Sequence, residues 1–529
     1  MLRITKRKFF VFYILFVLGL FLFVIPSRLP TVYLSPDETA VAVAAREFGT
    51  RASLRLADKM TETWPWLHPR SWVTNQGTLV PVGFLGLPLL AGIVWRLFGE
   101  IGLLVMTPLL VLSAAVPLWR FLKSLGWYAQ ISGIAVWLSF PTVILYANRG
   151  LFPNLALVCL MLWSAYLVWD KPGPGRWLTA GFLFGLAAAV RPTELLWMVV
   201  WIAAAWLAGK EAKAKFPPRR GLALFFAGAA VFPALAAFMA WKTYGTPFII
   251  GYWLHDPAVN LSGSSGPRPA ASSPGWPFGF HPRNVWFNLQ GYVFGLLAPW
   301  VVISLAAAVF WLRAKQKSLP IAVGTITAVL LVLVYGQAIY QDHVGRDVVS
   351  IGNSFLRYLL PVTPFAAAAA AALVGLVARS TTPRRAKVFT LLFIGGLAAA
   401  GIWNAINHDD EALRQGVGEL DRYEMIRRAV FNKYGRHAIV VSDRSDKIFF
   451  PVTRVVSPLP DDAKLADLVA NSPDPVLIFD TAYDSDRMGD WLSRGFILNP
   501  ILETKNQRLY EVSLTSSDAF GPNSVWPSQ

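Results

Sequence analysis

GLALFFAGAAVFPALAAFMAW, residues Gly221–Trp241, runs for 21 positions without a charged side chain. The hydrocarbon core of a bilayer, about 30 Å thick, is crossed by a helix of roughly 20 apolar residues. This stretch therefore reads as a transmembrane span, and so does Phe9–Ile25 near the start of the chain. Similar blocks recur throughout the first three quarters of the sequence. Of the 529 residues, 55% are hydrophobic and 15% charged, whereas a soluble domain carries about 25% charged residues. The chain reads as a polytopic α-helical membrane protein, and a soluble fold is excluded for roughly its first 400 residues.

The net charge of +17 does not point to nucleic acid. The basic residues fall in short clusters between apolar blocks, the pattern of cytoplasmic loops under the positive-inside rule. Arg3, Lys6, Arg7 and Lys8 precede the first block, which is too long for a usual signal core and has no small-residue cleavage site after Pro26. It is expected to remain as the first span. The single cysteine, Cys159, lies inside an apolar block, so neither an intrachain disulfide nor a cysteine metal site can form.

The basic clusters at 3–8, 120–123, 171–176, 210–220, 313–317 and 379–387 set the threading. With all of them cytoplasmic, spans are expected at 8–26, 101–122, 128–147, 153–170, 177–190, 193–209, 220–242, 286–312, 319–340, 357–378 and 386–404. That is about 11 transmembrane helices, with the N-terminus inside and the C-terminus outside. The first outer loop, 27–100, then contains Thr78–Phe98, which is apolar but interrupted by Pro81, Gly83, Gly86, Pro88 and Gly92. It is expected to lie against the outer face as an interfacial segment. A competing thread makes it a full span and fuses 177–209 into one broken helix. Further outer loops cover 243–285 and 341–356.

From about residue 405 the apolar runs shorten to strand length, as at Ala438–Ser442, Val476–Asp480 and Leu509–Leu514. Helical stretches at Asp461–Ala470 and Asp486–Ser493 alternate with them. Residues 405–515 thus read as a small extracytoplasmic α/β domain, and 516–529 as a disordered tail. The transmembrane part comprises 1–404.

The sharpest chemical signal is Leu34-Ser35-Pro36-Asp37-Glu38-Thr39, opening an amphipathic helix just after the first span. Acids in a first helical turn suit the helix dipole, and plain capping would explain them. A carboxylate pair held outside a membrane can also take a proton from an acceptor hydroxyl or hold a divalent ion. Other candidates are Asn148-Arg149-Gly150-Leu151-Phe152-Pro153-Asn154, Gly185–Arg191-Pro192-Thr193, and Phe355-Leu356-Arg357-Tyr358-Leu359-Leu360-Pro361-Val362-Thr363-Pro364.

In this order, across about 400 residues, these segments resemble the GT-C-type membrane glycosyltransferases. That superfamily includes the protein O-mannosyltransferases and the lipid A aminoarabinose transferase. The resemblance implies a sugar moved from a polyprenyl-phosphate donor to an extracytoplasmic lipid, glycan or protein acceptor, at a plasma (inner) membrane. It implies Asp37 as the catalytic carboxylate with Glu38 in support, and Arg357 with Arg191 at the donor phosphate. Tyr358, Asn154, Arg149 and His343 would line the substrate cavity. In one respect the chain departs from the family pattern. Asn154 stands where several relatives carry a second acid, and an amide is no base at neutral pH. This shifts the burden onto Asp37 and argues against a family-style metal pair, although a divalent metal stays open as a cofactor.

Each of these residues also has a plainer reading. Arg357 would serve as an interfacial anchor, and Arg191 would simply pair with Glu194. Tyr252, His255, Asp256, Arg268, His281 and Arg283 in one loop, and Gln341, Asp342, His343, Arg346 and Asp347 in the next, match no metal-ligand spacing and read as solvated loop polarity. Most of the 22 tryptophans suit interfacial belts; Trp64, Trp66 and Trp72 would alternatively touch a sugar. The rival functions are a lipid-linked saccharide transporter or flippase, and a polysaccharide polymerase or ligase.

Overall fold

The computed structural model describes residues 32–170, 173–211, 218–248, 251–254, 278–313, 319–340, 348–480, 485–504 and 507–515, together with Gly19. The expected first span, His255, His343 and the tail 516–529 lie outside these residues.

The first loop opens with helix α1 (Pro36–Arg51), followed by β1 (Leu56–Ala57), the short helix α2 (Met60–Thr63), β2 (Trp72–Asn75) and β3 (Thr78–Pro81). The three strands form an antiparallel sheet in the order β1-β3-β2. The next helical stretch, α3 (Gly86–Phe121), is two helices joined at Gly99, whose φ of 61° and ψ of −148° are non-helical. Only glycine enters that region freely. The segment before the break, 86–98, exposes Ile93, Leu97 and Phe98 and packs on α1. Arg46 of α1 grips Glu100 just past the break, with Nε and Nη2 donating over 2.7 and 2.8 Å.

The bundle continues with α4 (Trp127–Ser139), α5 (Pro141–Asn148), α6 (Pro153–Trp169), α7 (Pro174–Val190), α8 (Leu195–Glu211) and α9 (Pro218–Tyr244). After the loop come α10 (Pro282–Asn288), a π-helical stretch Leu289–Leu296, α11 (Ala298–Arg313) and α12 (Leu319–Tyr335). The short α13 (Ser354–Tyr358) precedes α14 (Thr363–Ser380) and α15 (Pro383–Asn407). Ten of the eleven expected spans thus fall on helices. Among the described residues only five helices are long and apolar enough to cross a membrane, or seven if each bent pair is one span. The difference from eleven has local causes. The chain bends by 52° between α4 and α5, where Pro141 opens a new helix, and by 88° between Leu296 and Ala298. The apolar helices α6 and α12 are shorter still.

Lipid-soluble helices gain little from apolar burial against one another, so close backbone approach does much of the holding. α7 and α9 meet this way. A Cβ added at Gly181 would lie 1.9 Å from the Phe225 carbonyl oxygen, and one at Gly185 2.2 Å from that of Ala229.

Beyond the last span, α16 (Leu413–Tyr434) leads into β4 (Ile439–Val441), α17 (Asp446–Phe449), β5 (Arg454–Val456), α18 (Asp462–Asn471), β6 (Val476–Asp480), α19 (Ser485–Ser493), β7 (Phe496–Thr504) and β8 (Gln507–Leu514). The strands form one sheet in the order β5-β4-β6-β8-β7, parallel over β5-β4-β6 and antiparallel over β6-β8-β7. Composition sets this stretch apart, yet packing does not. Val440, Phe449, Phe450, Leu477 and Phe479 share one apolar core with Val32, Ala40, Val43, Trp72 and Val80 of the first loop. An ion pair and a hydrogen bond reinforce the seam: Arg454 Nε reaches Asp58 Oδ1 at 3.0 Å, and Trp64 Nε1 donates to Asp467 over 2.8 Å.

Candidate active site

The sequence Ser35-Pro36-Asp37-Glu38 starts α1 by local chemistry. Ser35 is extended and its Oγ accepts the Asp37 N–H at 3.2 Å, while Pro36 sits in the first turn, where its missing N–H costs nothing. Successive residues on a helix point about 100° apart, so the two acids part company. Asp37 keeps a side chain 50% exposed, whereas Glu38 is only 4% exposed.

Asp37 Oδ1 accepts a hydrogen bond from Ser71 Oγ (3.2 Å), and Oδ2 lies 3.6 Å from Arg357 Nη1. Glu38 turns inward to Arg149, whose Nε and Nη2 both stand 3.3 Å from Oε2. Burial pushes the Glu38 carboxyl above its usual range; the Arg149 charge opposes this without cancelling it.

Arg357 and Tyr358 arrive on α13, whose first turn is fixed by Asn353 accepting the Phe355 N–H at 2.9 Å. The segment ahead of it is also tied down. Asp409 accepts the Ile351 N–H at 2.6 Å, Glu411 bonds the Ser350 hydroxyl, and Tyr146 donates to the Gly352 carbonyl over 2.9 Å. The Arg357 guanidinium lies 4.7 Å from the centroid of Phe152, against which Arg149 also packs at 4.9 Å. Arg191 stands 4.5 Å from the Tyr358 ring. Three guanidiniums therefore gather around two aromatic rings, and Arg357 is the one that faces Asp37.

Arg191 makes the pair with Glu194 that its sequence context suggests. Its Nε donates to Glu194 Oε1 at 2.9 Å, and it also faces Tyr358. Glu194 further accepts from the Tyr335 hydroxyl at 2.6 Å and from the Trp197 indole. Tyr335 stacks on Tyr358 with centroids 4.1 Å apart, and Tyr340 leans on the same ring at 5.3 Å. Tyr252, whose side chain is half exposed, is close enough to feel the charges of Asp37, Arg191 and Arg357. It stays a neutral hydrogen-bond donor at any physiological pH.

Asp37, Glu38, Arg149, Arg191, Arg357 and Tyr358 are thus brought together from four separated stretches of the sequence. Asn154 is buried on the first turn of α6, its Oδ1 without a hydrogen-bond partner among the described residues. His343 is outside those residues. His281 spends its backbone N–H on Gln337 Oε1 at 2.5 Å, at the start of α10. Sequence reasoning missed Ser71, Tyr335 and Tyr340 as members of the site. The aromatics carried no signal that distinguished them from a membrane-interface belt, and Ser71 was one hydroxyl in a turn-rich loop.

The donor set does not suit a divalent cation. Asp37 has a hydroxyl on one oxygen and a guanidinium near the other, and Glu38 is engaged by Arg149. Among the described residues no three His, Cys, Asp or Glu side chains gather in a metal-binding group.

With this geometry in place, the fold can be compared with solved structures. The crystal structure of ArnT from Cupriavidus metallidurans bound to undecaprenyl phosphate matches with a TM-score of 0.59 and 13% sequence identity, over 96% of this chain and 99% of that one. The fold is that of ArnT. The match spans the helical bundle and the C-terminal sheet together, because it leaves out only a small fraction of either chain. No protein-family model matches the chain, and no curated protein matches it by sequence. The likeness is one of fold.

Proposed function

We propose that this protein is a membrane glycosyltransferase of the GT-C type, moving a sugar from a polyprenyl-phosphate carrier to an acceptor hydroxyl. The observation that carries the reading is the approach of Asp37 to Arg357, with Arg191 set behind Tyr358. A carboxylate able to take a proton and a guanidinium able to hold a phosphate stand side by side at the end of the bundle. The ArnT structure holds undecaprenyl phosphate in the same fold, which supports a carrier of that class here.

In the proposed reaction the acceptor oxygen attacks the anomeric carbon while its proton passes to Asp37. The bond between that carbon and the phosphate oxygen breaks, and its electron pair leaves with the lipid phosphate. Arg357 compensates the phosphate charge, its planar fork matching two oxygens at once. Arg191 adds positive field through the aromatic wall. A phosphate with its charge compensated leaves without a general acid, and a single displacement inverts the anomeric centre. Glu38 acts through its bond to Arg149, holding the first turn of α1 against the α5–α6 corner. The acceptor is a lipid, a glycan or a protein on the extracytoplasmic face of the plasma membrane. The N-terminus is cytoplasmic, and the C-terminal sheet lies outside.

Transfer from a panel of radiolabelled polyprenyl-phosphate sugars in membranes carrying wild type or Asp37→Asn tests the reading. Label reaching an acceptor in wild type and not in the variant supports it. Full transfer by a folded Asp37→Asn protein removes Asp37 from the mechanism, and lipid flipping without transfer favours the transporter class instead.

A further inference from the structure

The seam between the first loop and the C-terminal sheet runs directly beneath Asp37. Asp446, at the start of α17, is 1% exposed and spends its whole carboxylate on one residue. Its Oδ2 accepts the Arg70 backbone N–H at 3.0 Å, and Oδ1 accepts Arg70 Nε at 3.0 Å and Nη2 at 2.6 Å. Arg70 Nη2 also donates to the Arg444 carbonyl over 2.7 Å. A carboxylate that takes both the backbone and the side chain of one residue fixes that residue's position and its orientation together.

The next residue is Ser71, whose hydroxyl meets Asp37 Oδ1. Its own carbonyl is pinned by the Val82 N–H at 3.0 Å. Trp72 follows, with its ring 5.6 Å from Phe450, the residue just past α17. The tripeptide Arg70-Ser71-Trp72 is therefore bracketed by the two ends of α17, and its middle residue is the one presented to the carboxylate. Lys447, beside Asp446, contributes its charge at Glu38.

We infer that Asp446 is a positioning residue for the transfer reaction: through Arg70 it sets the Ser71 hydroxyl on one oxygen of Asp37, which leaves the other oxygen turned toward Arg357 and the incoming acceptor. The inference rests on the glycosyltransferase reading of Asp37. It makes the C-terminal sheet a working part of the site. The two contacts are hydrogen-bond geometry, and a displacement of an ångström at a reacting group is enough to cost much of its effect.

Deleting the sheet is a poor test, because it would strip the shared apolar core from the first loop. Point variants of the full chain in nanodiscs separate the cases: Asp446→Asn, Ser71→Ala and the double variant. The expected result is a fall in kcat of about tenfold for each single variant, with KM for the donor unchanged. The double variant should be no slower than Asp446→Asn, since both changes break one linkage. Asp446→Glu, which keeps the charge, should recover part of the loss. Multiplying effects, or an Asp446→Asn enzyme with wild-type kcat below its melting temperature, would overturn the assignment. A cryo-EM structure of Asp446→Asn reads the same point without any assay. Ser71 drawn away from Asp37 supports the linkage, and Ser71 unmoved refutes it. Absence of transfer by wild type with every donor would instead count against the reading of the site, and the structural comparison would still decide the linkage.

Discussion

Arg357 Nη1 stands 3.6 Å from Asp37 Oδ2, and the two residues belong to elements at opposite ends of the membrane part of the chain. The contact is longer than a hydrogen bond of good geometry. It is a loose ion pair, which a phosphate or an acceptor oxygen would have to part in order to bind either group.

The first prediction concerns that guanidinium. Arg357→Ala should lower kcat/KM for the donor by about 100-fold, the scale of losing one preorganised donor to developing charge. Arg357→Lys keeps the charge but loses the planar fork and the stacking on Phe152, so it should recover only a small part. Steady-state kinetics with the donor varied would decide, and an alanine variant with wild-type kcat/KM would take Arg357 out of the reaction.

Glu194 accepts from Arg191, Tyr335 and Trp197 at once. Glu194→Ala leaves a buried cation and two donors without their acceptor, and should destabilise the protein by about 3–5 kcal/mol. Glu194→Gln, which keeps one carbonyl oxygen, should cost less. Thermal unfolding in detergent measures both, and an alanine variant melting with wild type would contradict the geometry.

Glu38 gives a pH dependence whose sign is fixed. Its folded pKa is raised, chiefly by burial, so the native state holds its proton to higher pH than the unfolded chain. The contribution to stability is full below the ordinary carboxylate range and is lost as pH rises through the raised value. Melting temperatures of wild type relative to Glu38→Gln should therefore decline as pH rises above the ordinary carboxylate range. A difference that grows with pH would mean that Arg149 outweighs burial.

Gly99 has open space around its Cα but a backbone that side chains avoid. Gly99→Ala should cost about 1–3 kcal/mol from backbone strain alone. The loss should appear as a lower melting temperature, with the Arg46–Glu100 pair weakened beside it. An alanine variant as stable as wild type would show that the helix straightens through the break at no cost.

How far the sequence speaks depends on how local the physics is. Apolar runs announce helices because every residue in a span meets lipid or another span, and Ser35-Pro36-Asp37-Glu38 announces α1 because capping is settled within one turn. The partners of those residues are another matter. Arg70 and Asp446 are 376 residues apart, and nothing in either neighbourhood marks them as a pair. Glu38 reads as a second acid beside Asp37, whereas the helical rotation between neighbours sends it to Arg149. In the C-terminal region, β4, β6 and β8 carry dense apolar runs and are legible. β7 contains Pro500, which demotes a strand in any reading and which the sheet accommodates at its edge. β5 is only three residues long, and α16, rich in charge, hides in a stretch marked only by its change of composition.

The core shared by the first loop and the C-terminal sheet also orders events in the life of the chain. Synthesis proceeds from the N-terminus and units fold as they emerge, so Asp37 leaves the ribosome long before Asp446. The apolar faces of Val43, Trp72 and Val80 are then without Val440, Phe449 and Leu477 until the last strands have been made and delivered to the same side. A nascent or prematurely terminated chain thus holds its carboxylate in an unfinished setting. Completion of the setting around Asp37 therefore waits on the end of translation.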